Sequence, residues 1–332
     1  MLKFNKILFF NTLILGILIS ISSISWFSMW MGLEINLMSI IPLMAMVNNS
    51  YSSESSMKYF ITQAFASMIL IFSIMNFLLI NEILPYKSMF MTLMNIALLT
   101  KLGMAPFHFW FPEIIQGLNW MNSLIILTIQ KITPFLILMT NYLTNPLFYT
   151  SVISSLIIST IMSINQTSIR KILAYSSINH LAWMMSISMI SFSSWMIYYL
   201  IYIYITMTLI MIFFLMNSFY SPQMFLMMNN SKILKLMFFF NFLSLSGIPP
   251  MIGFLPKWIT IYMLIMENIL FLTFMLIIMT LIMIYIYMQF LINSMILNYN
   301  EKKMNSSKSL YSLNICLSNM NFFSFIIFFN FM

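Results

Sequence analysis

Three lysines and a glutamate stand in stretches where few charges occur. Lys101, Lys131 and Lys257 fall inside long apolar runs, Glu34 sits eight residues into another, and His108 and His180 also lie within such runs. An ammonium near the centre of a membrane-spanning helix costs about 2.5–3.5 kcal/mol on insertion scales, so these groups are expected to face protein or water and to serve a purpose. Proton transfer is the chemistry that suits them. Desolvation favours a neutral amine and a nearby carboxylate restores the ammonium. Two unit charges about 6 Å apart at an effective dielectric of about 20 interact by about 3 kcal/mol, or about two pKa units. A glutamate moving toward or away from a lysine would therefore load or release a proton. The bland readings are snorkelling to the surface and a purely structural ion pair.

The elements that position these side chains must live in lipid. Of 332 residues, 62% are hydrophobic and 6% charged, and the mean hydropathy is +0.98, which leaves too little polar surface to cover a soluble core. The runs are apolar on every side, as from Ile269 to Tyr287, unlike the alternating ten-residue strands of a barrel. The expected fold class is therefore an all-α polytopic membrane protein of about eleven transmembrane helices, with no separate soluble domain. The spans are placed at 4–22, 26–47, 57–80, 88–117, 120–142, 147–164, 170–190, 194–217, 233–266, 268–294 and 310–331.

The formal net charge of +8 comes from basic residues scattered singly or in pairs between spans, so it reads as membrane topology and not as a nucleic-acid surface. If every span crosses once, one side collects Lys3, Lys6, Lys58, Arg170, Lys171, Lys232, Lys235, Lys302, Lys303 and Lys308, and the other only Lys87. That asymmetry predicts an N-terminus on the matrix or cytoplasmic face and a C-terminus opposite. Lys3 and Lys6 before an apolar run read as the start of a retained first helix, since no A-x-A-like cleavage site follows. The single cysteine, Cys316, excludes disulfides within the chain and a cysteine-ligated iron–sulfur cluster. The absence of Asp and the heavy use of Met, Ile, Phe, Asn and Tyr point to A+T-rich organelle coding, which a G+C-rich gene would refute.

Two spans carry matching helix breakers. Gly103, Pro106 and Pro112 precede Glu113, and Gly247, Pro250 and Pro256 precede Lys257, so both read G-x-x-P-x5-P-charge, 144 residues and five spans apart. An odd number of spans between copies inverts one relative to the other, which predicts two inverted five-helix repeats, about 1–142 and 147–294, each with a broken helix, followed by a terminal helix. Freed backbone groups at membrane depth must line a polar cavity or find protein partners. Lys101 aligns with Leu245, so the repeat preserves the breaks better than the charges. Thr100, Gln130 and Thr133 beside the lysines, Ser244 and Ser246 before the second break, and Ser176, Ser177 and Asn179 beside His180 are suited to holding a chain of water or to bonding between helices.

With the stretches WMGLEINLMSIIP (30–42), KLGMAPFHFWFPEIIQGLNWMNSLIILTIQKITP (101–134), NQTSIRKILAYSSINHLAWM (165–184) and NFLSLSGIPPMIGFLPKW (241–258), the chain resembles the subunit-2 family of mitochondrial NADH:ubiquinone oxidoreductase, respiratory complex I, in its shortened animal form. The resemblance covers nearly the whole chain, with little signal beyond about residue 295. It implies an antiporter-like membrane-arm subunit in the mitochondrial inner membrane, with other membrane-arm subunits and the lipid bilayer as partners. By the same resemblance Glu34 and Lys101 are a coupled acid–lysine pair, Lys131 a central lysine, and Lys257 the lysine of the second broken helix near the proton exit. His180 and His108 are candidate relay or hydration residues, and Glu113 a structural residue. The family's redox chemistry lies elsewhere, so NADH and ubiquinone are expected on other subunits and no cofactor or metal in this chain, which has no G-x-G-x-x-G opening a βαβ unit and no metal-ligand cluster. Two other functions compete: a cation/proton antiporter acting alone or in a multi-subunit exchanger, and a structural scaffold whose buried charges merely pair.

Overall fold

In lipid each backbone N–H and C=O must find a partner within its own segment, so long apolar runs fold as helices. A computed structural model of the chain describes residues 2–45, 49–79, 84–141, 146–228, 232–249 and 251–296, which form fourteen helical segments in two compact units, Met1–Ser151 and Val152–Met332. The first unit contains α1 (Leu2–Ser22), α2 (Trp26–Met44), α3 (Ser50–Leu79), α4 (Leu84–Leu102), α5 (Trp110–Gly117), α6 (Trp120–Leu127) and α7 (Ile129–Thr140), and α8 (Pro146–Ser163) begins in it. The second continues with α9 (Ile169–Ser188), α10 (Phe192–Met216), α11 (Ser221–Met228), α12 (Lys232–Ser246), α13 (Phe254–Met266) and α14 (Leu270–Ile296).

Among the described residues, seven helices are long and apolar enough to cross a membrane: α1, α2, α3, α6 with α7, α8, α10 and α14. Shorter apolar helices are those on either side of the second break and Ser88–Leu102 before the first. Helix α9 is more polar, yet every residue from Ile172 to Ser188 is buried, so its serines and His180 face protein. The serines do not break these helices because their hydroxyls donate to carbonyls one turn back, as Ser55 does to Ser52 and Ser176 to Leu173.

Several expected spans change. The span expected at 57–80 begins earlier, at Ser50, so Lys58 lies about two turns inside the helix instead of at its start. As the breakers predict, the spans at 88–117 and 233–266 are each two helices parted after Gly103 and Gly247. The span at 120–142 is interrupted at Thr128, whose backbone (φ −116, ψ −81) belongs to neither α6 nor α7. A short helix, α11, lies in what was read as loop. The span at 310–331, Cys316, Lys302, Lys303, Lys308 and Pro250 lie outside the described residues.

In the second unit one further contact shapes the chain. Ile169 N–H donates to the Phe219 carbonyl (3.1 Å) and Ser221 N–H to the Thr167 carbonyl (2.9 Å), an antiparallel bridge at Ser168 and Tyr220 between the segment entering α9 and the segment leaving α10. The Arg170 guanidinium lies over the Phe219 ring at 4.5 Å.

Candidate functional site

Helix α4 ends in a Schellman motif. Gly103 adopts φ +71 while its N–H donates to the Thr100 carbonyl and the Met104 N–H reaches the Leu99 carbonyl, each at 3.1 Å. Only glycine takes that backbone without strain. Lys101 therefore stands in the last turn, at the negative end of the helix dipole, where an ammonium is favoured. Two side chains attend to the carbonyls around it. Trp110 Nε1 donates to the Thr100 carbonyl (3.1 Å) and Gln63 Nε2 to that of Lys101 (3.4 Å).

Lys101 is 8% exposed and lines a cavity with Leu33, Asn36, Tyr59, Gln63, Gln130 and Thr133. Glu34, on α2, is half-buried and within coulombic range of Lys101, but the two do not form a direct ion pair. Its Oε1 is buried without a protein hydrogen-bond partner, as are both amide atoms of Asn36 and Nε2 of Gln130. The Tyr59 hydroxyl donates to Gln130 Oε1 (3.3 Å), beside Lys131 in sequence.

Lys131, 2% exposed, lies in the first turn of α7 just after the Thr128 interruption, with Nζ 5.3 Å from the centre of the Phe111 ring. Pro134 within the same helix has no N–H for the carbonyl of Gln130, loosening the backbone on the other side of the lysine. His108 is buried in the first break, with Nδ1 3.3 Å from the Pro106 carbonyl.

The second unit repeats the same helix ending. Gly247 (φ +75) donates to the Ser244 carbonyl at 3.1 Å and Ile248 to that of Leu243 at 3.4 Å, closing α12. Here the lysine comes from beyond the break. Lys257, in the first turn of α13 and 8% exposed, reaches back so that Nζ donates to the Ser246 carbonyl at 2.6 Å. Its stem runs against Gly247, where an added Cβ would come within 2.8–2.9 Å of Cδ, Cε and Nζ. His180 on α9 is 6% exposed, with Nδ1 2.9 Å from the Tyr198 hydroxyl of α10.

Over residues 23–283 the sequence matches the family described as NADH:quinone oxidoreductase/Mrp antiporter, TM. The chain belongs to this family. Proteins named NADH-ubiquinone oxidoreductase chain 2 are 45% identical in Anopheles gambiae over 304 residues (91% of this chain, 89% of the relative) and 43% identical in Aedes aegypti over 328 residues (98% and 96%). In the solved structure of respiratory complex I from Thermus thermophilus with bound aureothin, one chain shares the fold with a TM-score of 0.86 at 18% identity, covering 98% of this chain and 78% of that one. A chain of the Mrp complex from a Dietzia species does so at 0.80 and 12% identity, covering 94% and 73%.

Of the residues expected to carry chemistry in this antiporter-family chain, Lys101, Gln130 and Thr133 meet at one cavity, to which α2, the helix of Glu34, contributes Leu33 and Asn36. Lys131 follows Gln130, while Lys257 and His180 belong to the other unit. Glu113 stands apart. It is 57% exposed on α5 and pairs with Lys58 at 2.9 Å, which also holds Glu54 at 3.0 Å. Sequence reasoning missed Asn36, Tyr59 and Gln63. Gln63 and Tyr59 lie on one face of α3, four residues apart, and a polar pair at that spacing inside an apolar helix was the signal. Among the described residues, no group of three or more His, Cys, Asp or Glu side chains is placed to hold a metal.

Proposed function

We propose that this chain is a proton-translocating, antiporter-like subunit of respiratory NADH:ubiquinone oxidoreductase, passing protons from matrix to intermembrane space by charge coupling along Glu34, Lys101, Lys131 and Lys257. The observation that carries the reading is the burial of three lysines, at 8%, 2% and 8% exposure, in helices whose hydrogen bonding is interrupted beside each of them. Burying an ammonium is expensive, so a lysine there is kept by a use for its proton. Glu34, close enough to act on Lys101 without an ion pair, suits a carboxylate whose approach or withdrawal loads and unloads the amine. His180 and His108 are candidate relays.

The chain is a multi-pass inner-membrane protein that works among other membrane-arm subunits, as the names of its relatives suggest. Its N-terminus faces the matrix by the distribution of basic residues between and near the ends of its spans, and its two broken helices belong to inverted repeats. It holds no cofactor, NADH and ubiquinone being bound by other subunits. In assembled complex, Lys101→Met and Glu34→Gln should lower NADH-driven proton transfer into the intermembrane space at least tenfold. Unaltered pumping per assembled complex in both variants would overturn the assignment.

A further inference from the structure

The two buried lysines of the first unit share a neighbour that their own helices do not supply. Trp110 and Phe111 are consecutive residues in the first turn of α5, just after the break. The Trp110 indole donates to the Thr100 carbonyl, in the peptide that leads into Lys101, and the Phe111 ring faces Lys131 Nζ. Both fold back onto Gly103: a Cβ there would lie 3.1 Å from Phe111 Cβ and Cδ2 and from Trp110 Cζ2. Trp110 also sets its ring edge-to-face on Tyr59, at 6.0 Å between centres, and Tyr59 bonds Gln130 beside Lys131. One helical turn thus touches the backbone at one lysine, the ammonium of the other, and the tyrosine between them.

We propose that Trp110 and Phe111 are positioning residues that couple Lys101 to Lys131. A shift of α5 along its axis changes the hydrogen bond at Thr100 and the aromatic face under Lys131 together, because the two rings are adjacent on a rigid turn. That helix is held from outside the site at its middle and at its C-terminal end. Glu113 is tied to Lys58, and Gly117 packs so closely on α3 that a Cβ would come 2.7 Å from the Tyr51 carbonyl. Movement of α3 against α5 is then transmitted to both lysines at once. This rests on the proton-transfer reading of those lysines.

Trp110→Phe removes the indole N–H and keeps a ring; Phe111→Leu removes the aromatic face and keeps apolar bulk. In assembled complex, each should shift the pH profile of NADH:ubiquinone turnover by about half a unit or more, with a several-fold lower rate per assembled complex, and the double variant should show no more than the larger single shift. A role confined to packing would lower the amount of complex and leave the pH profile in place, and that outcome, or fully additive shifts, overturns the proposal. If Lys101→Met loses turnover while both aromatic variants keep the parental profile, the coupling role fails and the proton-transfer reading stands. If Lys101→Met and Glu34→Gln both retain full proton pumping per assembled complex, the proton-transfer reading itself fails.

Discussion

The two helix breaks close with the same backbone and supply their lysines differently. In each, a glycine in the left-handed region ends the first half-helix with a Schellman pair of hydrogen bonds. Lys101 precedes its glycine and sits in the last turn, whereas Lys257 follows its glycine and reaches back across it to the Ser246 carbonyl. The position equivalent to Lys257 is Glu113, which faces outward in an ion pair. What the breaks share is therefore a lysine beside the C-terminal end of a half-helix, supplied from before the gap in one and from after it in the other. That is why the repeat is clear in Gly and Pro and blurred in charge.

The strongest way to break this comparison is to exchange the suppliers. Lys257→Met should lower turnover per assembled complex at least tenfold, and adding Leu245→Lys, on the Lys101-like side of the second break, should restore part of it. The mirror experiment should not work: Lys101→Leu should be as severe, and adding Glu113→Lys should recover nothing, because position 113 is exposed on the outer side of α5. Rescue by Glu113→Lys would show that the two breaks are more alike than their contacts indicate. A smaller effect is expected from the glycines. Gly103→Ala and Gly247→Ala each impose about 1–2 kcal/mol of left-handed backbone strain, which lower amounts of assembled complex would report. Gly247→Ala also drives a methyl into the stem of Lys257, while Gly103→Ala meets Trp110 and Phe111. Turnover per assembled complex should consequently fall further in Gly247→Ala, and equal falls would count against separate suppliers. The smallest effect belongs to Lys58→Met, which cuts an exposed ion triad. Any loss of thermal stability of the complex should shrink as salt is raised, because screening already weakens the parental pair.

Much of this was legible in the sequence because lipid makes charge and backbone irregularity conspicuous. The Gly–Pro spacing located both breaks, and a lysine among apolar residues pointed to burial before any contact was known. The interruption at Thr128 was not legible: Thr is compatible with a helix, and only the downstream Pro134 hinted at disturbance. The start of α3 was misjudged because a run of serines looks like a loop, while their hydroxyls bond to their own helix. Nor could composition distinguish Lys101, where Trp110 meets the Thr100 carbonyl and Gln63 that of Lys101, from Lys257, whose ammonium itself meets the Ser246 carbonyl. That difference depends on which way a side chain turns at a left-handed residue.

The backbone bridge at Ser168 and Tyr220 gives α9 and α10 a second fastening. The pair is joined covalently through residues 189–191 at one end and laced by two main-chain bonds at the other, which makes it a closed ring of chain. Sliding one member past the other would have to open that lace, so the imidazole–phenol contact of His180 and Tyr198 midway along is held in register by a constraint some distance from it. Deuterium should enter the amides of Ile169 and Ser221 slowly, at the pace of the ring's opening and not of ordinary loop motion.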